Sequence, residues 1–87
     1  MDTLMWEAKA RDGLGPELLR WVLTAGVADL GESLRTEVFT ASDRIVVIVV
    51  GHSAPRSLPE PPDDLIERPP HAWPFTRITS NARQPSL

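Results

Sequence analysis

The sequence contains no cysteine at any of its 87 positions. That absence excludes a disulfide framework, a thiolate nucleophile, a cysteine-ligated zinc site and an iron–sulfur cluster. A chain of this length lies well below the size at which proteins divide into several cores, which favours one small domain. The stability of that domain must therefore come from internal packing or from association with another chain.

Positive charge and long apolar runs are also scarce. Nine Lys and Arg residues against twelve Asp and Glu residues give a net charge of -3, and neither half of the chain concentrates basic residues. Nucleic acid is therefore not an expected partner.

The longest apolar run, Ile45 to Val50, is too short for a bilayer core of roughly 30 Å. No secretory-type apolar segment follows the acidic start Met1-Asp2-Thr3. We expect a cytoplasmic protein that binds no membrane.

The motifs that would identify a chemistry are missing too. The chain has no Gly-rich phosphate loop, no nucleophile elbow and no CxxC pair. His52 and His71 lack a third partner at ligand spacing, which argues against a metal site. The acidic residues between Glu60 and Glu67 lack the alternating ligands and central glycine of a calcium loop. We expect neither a metal nor an organic cofactor.

The first half of the chain predicts a strand, a helix and a second strand. Residues alternate from Leu4 to Ala10, which predicts a strand that buries one face. A helix is expected from Pro16 to Ala25, because proline at the first helical position loses no hydrogen bond. β-Branched and aromatic residues from Leu34 to Thr40 favour a second strand, and Ala41-Ser42-Asp43 provides the turn to the next.

The second half predicts two more strands and a proline-rich connector. The apolar run from Ile45 to Val50 does not alternate, which indicates a central strand with both faces shielded from water. Seven of the nine prolines lie from Pro55 to Pro74. Within that segment, Pro61 to Arg68 is expected to form a short helix that Pro69-Pro70 ends. Ala72 to Ile78 is expected to be an edge strand, because Pro74 cannot donate to a neighbour.

This order of elements, βαββαβ, favours an antiparallel α+β fold of the ferredoxin-like type. The first and third strands would be central and the fourth would be an edge. We expect one domain over residues 1–79 and a disordered C-terminal tail over 80–87, where the sequence is polar and aperiodic. One full helix and one short, proline-bounded helix cover only one face of a four-stranded sheet. An identical sheet from a second copy would cover the other face, giving a homodimeric barrel.

The chain resembles the dimeric α+β barrel superfamily, specifically its antibiotic-biosynthesis-monooxygenase branch. The resemblance covers residues 4–78. It rests on the element order, on Gly13 followed by Glu17-Leu18-Leu19 in the helix, and on the hairpin from Glu37-Val38-Phe39 to the third strand. That family has a longer second helix with an aromatic-containing motif, which is replaced here by the proline-rich connector. The resemblance implies the fold and the homodimer, and no catalytic residue is carried over from it.

Five side chains are the candidates for binding or chemistry. Histidine is well suited to proton transfer near neutral pH, and His71 lies beside Trp73 in sequence. Glu7 alternates to the side opposite the first strand's apolar residues, where a dimer would make it pair or take up a proton. Trp6, Trp73 and Phe75 are candidates to line a pocket for a flat ligand, although for Trp6 a purely structural place in the core is the favoured interpretation.

Two functions are consistent with these observations. In the first, a homodimeric barrel binds a small, mostly apolar molecule and acts as a cofactor-independent monooxygenase or isomerase of secondary metabolism. In the second, the chain is a non-catalytic accessory or regulatory module that docks onto another protein through its sheet face or its proline-rich segment.

Overall fold

A computed structural model describes residues 2–31 and 35–78 of the chain. Within these residues the architecture is α+β, with four strands and one α-helix. Each predicted strand is observed, with ends within two residues of those expected. The elements are β1 (Asp2–Lys9), α1 (Gly15–Trp21), β2 (Arg35–Ala41), β3 (Arg44–Gly51) and β4 (His71–Thr76).

The four strands form one antiparallel sheet in the order β2-β3-β1-β4. The first and third strands are central and the fourth is an edge, as the sequence predicts. Pro74 lies in β4 opposite Leu4 of β1. An edge strand tolerates proline because only one of its sides has to supply hydrogen bonds to the sheet.

One side of the sheet, which we name the covered face, carries the core. Successive residues of a strand point to opposite faces, so Leu4, Trp6 and Ala8 of β1 share this side. They are fully buried together with alternate residues of β3 and with Leu18 and Val22 of the helical segment. No polar side chain is buried among the described residues. The core residues are Leu4, Trp6, Ala8, Ala10, Leu18, Val22, Ile45, Val47, Val49, Leu58 and Ile66.

The helix is shorter than predicted and ends in a wider turn. α1 gives way to a π-helical turn over Val22–Gly26, in which the amide of Val27 donates to the carbonyl of Val22 at 3.0 Å. Gly26 lies against the ring of Trp21, where a β-carbon would come within 3.0 Å. Leu23 lies in this turn and is 53% exposed.

Residues 52–70 form an ordered connector, which we name the strap. It packs on the covered face, where Leu58 and Ile66 join the core and Leu65 packs against it. The predicted two-turn helix from Pro61 to Arg68 is wrong. A single 3-10 turn spans Asp63–Leu65, and the chain is extended at Ile66.

Pairing with the end of β1 explains why the helix does not continue. Ile66 forms a bridge with Ala10, and the amide of Glu67 donates to the carbonyl of Lys9 at 2.9 Å. The amide of Arg11 donates to the carbonyl of Leu65 at 3.0 Å. These sheet-like hydrogen bonds use backbone groups that a second helical turn would need. The strap thus extends the edge of the sheet instead of forming a second helix.

The third strand is buried on one face only within the described residues. Ile45, Val47 and Val49 are 0–1% exposed on the covered face, whereas Val46, Ile48 and Val50 are only partly buried on the other. The helix and the core residues of the strap, Leu58 and Ile66, lie on the covered face, so they do not shield the second side. The tail predicted to be disordered, 80–87, lies outside the described residues.

Candidate functional site

The second side of the sheet, which we name the open face, presents side chains from all four strands. Strand register places its residues in rows that run across the sheet. The first row is Phe39, Val46, Glu7 and His71; the second is Glu37, Ile48, Met5 and Trp73; the third is Arg35, Val50, Thr3 and Phe75.

Large apolar side chains of the open face are exposed to solvent. Met5 is 38% exposed, Trp73 40%, Phe39 49% and Phe75 54%. Ile48 and Val50 lie between them and are partly buried. Single exposed apolar residues are ordinary on a protein surface, but a continuous group of them on one sheet face marks an interaction surface. This group is the first part of the candidate site.

A network of charges borders this apolar surface at one end. Glu7 Oε2 lies 3.0 Å from Nε of Arg44, and Glu7 Oε1 lies 3.7 Å from Nη2 of Arg68. Glu67 Oε2 lies 3.6 Å from Nη1 of Arg68 and 3.2 Å from Nζ of Lys9. The Glu7 side chain is only 18% exposed, so it needs this pairing more than a fully solvated carboxylate would.

Arg68 reaches Glu7 because of an irregularity in strand pairing. Glu7 pairs with His71, and Ala10 pairs with Ile66. Three steps along β1 therefore correspond to five steps along the opposing segment, an excess of two residues within the stretch Arg68-Pro69-Pro70. Such bulges bend a strand and redirect a side chain. Arg68 is not among the candidates from sequence, because the bulge appears only once the strand register is known.

His71 and Trp73 are neighbours on the open face. Their ring centroids are 5.4 Å apart and the ring planes are inclined by 72°, an edge-to-face arrangement. His71 lies directly across from Glu7 in the β1–β4 ladder. The structure thus brings together four of the five predicted side chains, namely His71, Glu7, Trp73 and Phe75. His52 lies apart from them, exposed in the turn after β3.

Trp6, the fifth candidate, lies on the covered face. Its side chain is fully buried in the core, and its indole nitrogen has no hydrogen-bond partner among the described residues. A molecule on the open face would be separated from Trp6 by the thickness of the sheet. Trp6 is therefore a core residue, as one interpretation of the sequence allowed. Trp73 and Phe75 lie on the solvent-accessible side of the sheet.

Several open-face residues were not singled out from sequence. Arg44, Val46, Ile48 and Val50 alternate within β3, so their common face could have been found once that run was taken as a strand. Met5 could have been found in the same way from the alternation of β1. Phe39 needed the β2–β3 register, which places it beside Val46.

The open face combines an apolar centre with an acid, an imidazole and several cations at one end. A depression of about 170 Å³ borders it at Thr3 and Phe75 and extends to the strap residues Ala54 and Arg56. In the described part of the chain, no group of three or more His, Cys, Asp or Glu side chains is placed to hold a metal ion.

No helix in residues 2–31 and 35–78 has the length and apolar character to cross a bilayer.

No family model, no curated protein and no solved structure matches the chain. The geometry of the open face is therefore the basis for the proposed function.

Proposed function

We propose that two copies of this chain, each with a ferredoxin-like fold, form a homodimer. The open face of one copy packs on the open face of the other, around a small, mostly apolar molecule. The observation that carries the proposal is the group of exposed apolar side chains on the open face, centred on Met5, Ile48 and Trp73. The strand order β2-β3-β1-β4, with both central strands flanked by antiparallel neighbours, is the order of ferredoxin-like sheets.

A second copy fits the open face in shape and in charge. Two flat sheets of the same width pack face to face at about 10 Å with their side chains between them. The apolar centre is flanked by both signs of charge, with Glu7 and Glu37 against Arg35 and Arg44. A surface that carries both signs can be its own complement, as a symmetric dimer requires.

The size of the face sets the expected strength of association. Four strands at about 4.8 Å spacing and about seven residues at about 3.3 Å give roughly 440 Å² of flat area per copy. The accessible surface of the face is larger than this projected area, because side chains stand out from the sheet, so the face falls among small to standard interfaces. We expect a reversible dimer, and an enclosed ligand would tighten it by mass action.

Sedimentation equilibrium tests the dimer with a matched pair of variants. Ile48→Asp places a charge in the centre of the open face, and Leu23→Asp places the same charge on the exposed side of the π-helical turn. The proposal predicts a reversible dimer for the natural chain and for Leu23→Asp, and a monomer for Ile48→Asp. A folded natural chain that stays monomeric up to millimolar concentration would overturn the proposal.

Proton transfer at His71 is the reaction that this face supports best. The imidazole lies beside the apolar surface and across from Glu7, which suits a general base acting on a bound, weakly acidic molecule. Turnover of a panel of polyketide-like phenols by the natural chain and by His71→Gln tests this role. Loss of turnover in the variant, with dimerisation retained, supports it; equal turnover removes His71 from the reaction.

A second candidate function is a docking module for a different protein. The exposed large apolar side chains of the open face favour it, since a continuous apolar group on a surface marks a site of protein–protein contact. A natural chain that is monomeric alone but forms a defined complex with one purified partner, lost in Ile48→Asp and kept in Leu23→Asp, would favour this function over the dimer.

A further inference from the structure

We propose that the molecule bound on the open face is an organic acid with a flat apolar body. Its carboxylate would lie at Arg44 and Arg68, and its body would lie over Met5, Ile48 and Trp73. This inference rests on the proposed function and names the class of ligand that the same face would select.

The charge network has one more positive than negative member. Arg44, Arg68 and Lys9 carry three positive charges, and Glu7 and Glu67 carry two negative charges, which leaves an excess of one positive charge. The whole chain has a net charge of -3. Asp12 and Asp43 line the depression beside Lys9 and Arg44, and Glu60 and Asp63 line the one beside Arg68. The preference for an anion therefore comes from the guanidinium donors of Arg44 and Arg68 and not from the summed charge.

Arg68 has hydrogen-bond donors to spare. Its two contacts with carboxylates are 3.6 and 3.7 Å long, beyond normal hydrogen-bond length, and its side chain is 40% exposed. Arg44 contacts Glu7 through Nε at 3.0 Å, so the contact found for Arg44 does not involve its two terminal nitrogens. A guanidinium group with free terminal nitrogens can bind a carboxylate through two parallel hydrogen bonds.

The apolar surface begins beside Glu7, the carboxylate that both arginines contact. Glu7 lies two residues after Met5 along β1, and its partner His71 lies two residues before Trp73 along β4, a distance of about 7 Å. A bicyclic aromatic acid can span that distance with its carboxylate at the arginines and its rings on Trp73 and Ile48. The exposed face of Trp73 provides a surface for stacking, and its contact with His71 holds the indole in place.

Calorimetric titration with three probes tests the inference on the full chain. The probes are 2-naphthoate, its neutral amide 2-naphthamide, and inorganic phosphate, which has charge without an apolar body. We expect naphthoate to bind about tenfold more tightly than the amide, since a charge-assisted bidentate contact distinguishes them. We expect phosphate to bind at least about tenfold more weakly than naphthoate, because it gains nothing from the apolar surface.

Three variants and one control sharpen the test. Arg44→Gln and Arg68→Gln should each weaken naphthoate binding about fivefold or more and leave amide binding unchanged. Glu7→Gln should strengthen naphthoate binding, because it removes a carboxylate that competes for the same two arginines; a purely structural role of the network would not produce this gain. Arg20→Gln, an exposed change in α1, should affect neither probe.

The outcomes separate this inference from the proposed function. If the acid and the amide bind equally well to a dimeric chain, the inference is overturned and the proposed function stands. If Arg20→Gln weakens naphthoate as much as Arg68→Gln does, the charge network is not the site and the inference is also overturned. If no probe binds and the chain is monomeric, both are overturned.

Discussion

The two faces of the sheet are built from similar residues but differ in what covers them. β3 supplies Ile45, Val47 and Val49 to one face and Val46, Ile48 and Val50 to the other. The covered face is closed by α1 and the strap, and it contains no buried polar side chain among the described residues. The open face adds exposed aromatic residues from β4 and a network of charges. The covered face therefore supplies the core, and the open face is the one that we propose to bind a partner.

The largest expected difference between the faces is at their two tryptophans. Trp6→Ala should lower the free energy of unfolding by about 3–5 kcal/mol, because it empties a fully buried site. That is a large share of the roughly 4–13 kcal/mol expected for a domain of this size. Trp73→Ala should cost about 1 kcal/mol or less in dilute protein. Urea denaturation measures both, and equal losses would contradict the distinction between the faces.

The same contrast is expected for two isoleucines of β3. Ile45→Ala should cost about 2–5 kcal/mol, since Ile45 is 1% exposed in the core. Ile48→Ala should cost about 1 kcal/mol in dilute protein, where only strand propensity and partial burial are lost. Because the two changes remove the same atoms from one strand, thermal or urea unfolding compares the faces directly. A larger loss for Ile48→Ala would reverse the assignment of the faces.

The strap should contribute to stability in the way that a second helix would. Leu58 is 7% exposed and belongs to the core, so Leu58→Ala should cost about 2–3 kcal/mol. Ser57→Ala changes the neighbouring residue, whose hydroxyl contact is local, and should cost less than about 0.5 kcal/mol. If the two variants unfold at the same urea concentration, the strap is not part of the covered face in solution.

The smallest effect is expected in the charge network. Glu7→Gln should change the free energy of unfolding by less than about 1 kcal/mol, because its arginine partners are about half exposed and ion pairs of this kind contribute little. The effect should fall further at high salt. A loss of several kcal/mol would show that Glu7 is part of the stable core and not of the binding surface.

Much of the fold could be predicted from local patterns. The alternation of β1 and the uniform run of β3 identified both central strands, and Pro74 placed β4 at an edge. The absence of the helix predicted from Pro61 to Arg68 was not foreseeable in the same way, because the backbone there is used by pairing between Ile66 and Ala10. That pairing joins residues far apart in sequence, and composition carries no signal of it.

The candidate site was less predictable than the fold. Alternation separates Glu7 from Trp6, and it groups Trp73 with Phe75. Alternation does not show that His71 lies across from Glu7, or that Arg68 lies close to the Glu7 carboxylate. The first contact depends on the strand register, and the second depends on the bulge between β1 and the strap. Charge clusters formed across strands become visible only when the strands are paired.

If a second copy covers the open face, the solvent exposure of Trp73 must depend on the dimer. The chain has three tryptophans: Trp6 in the core, Trp21 in α1 and Trp73 on the open face. With 5-fluorotryptophan in all three, the fluorine resonances can be assigned by single Trp→Phe variants and compared in light and heavy water. In concentrated protein, we expect a small solvent isotope shift for Trp73, close to that of Trp6, and a larger one in Ile48→Asp. A Trp73 shift that is large in the natural chain, and the same in Ile48→Asp, would show that no second copy lies on the open face.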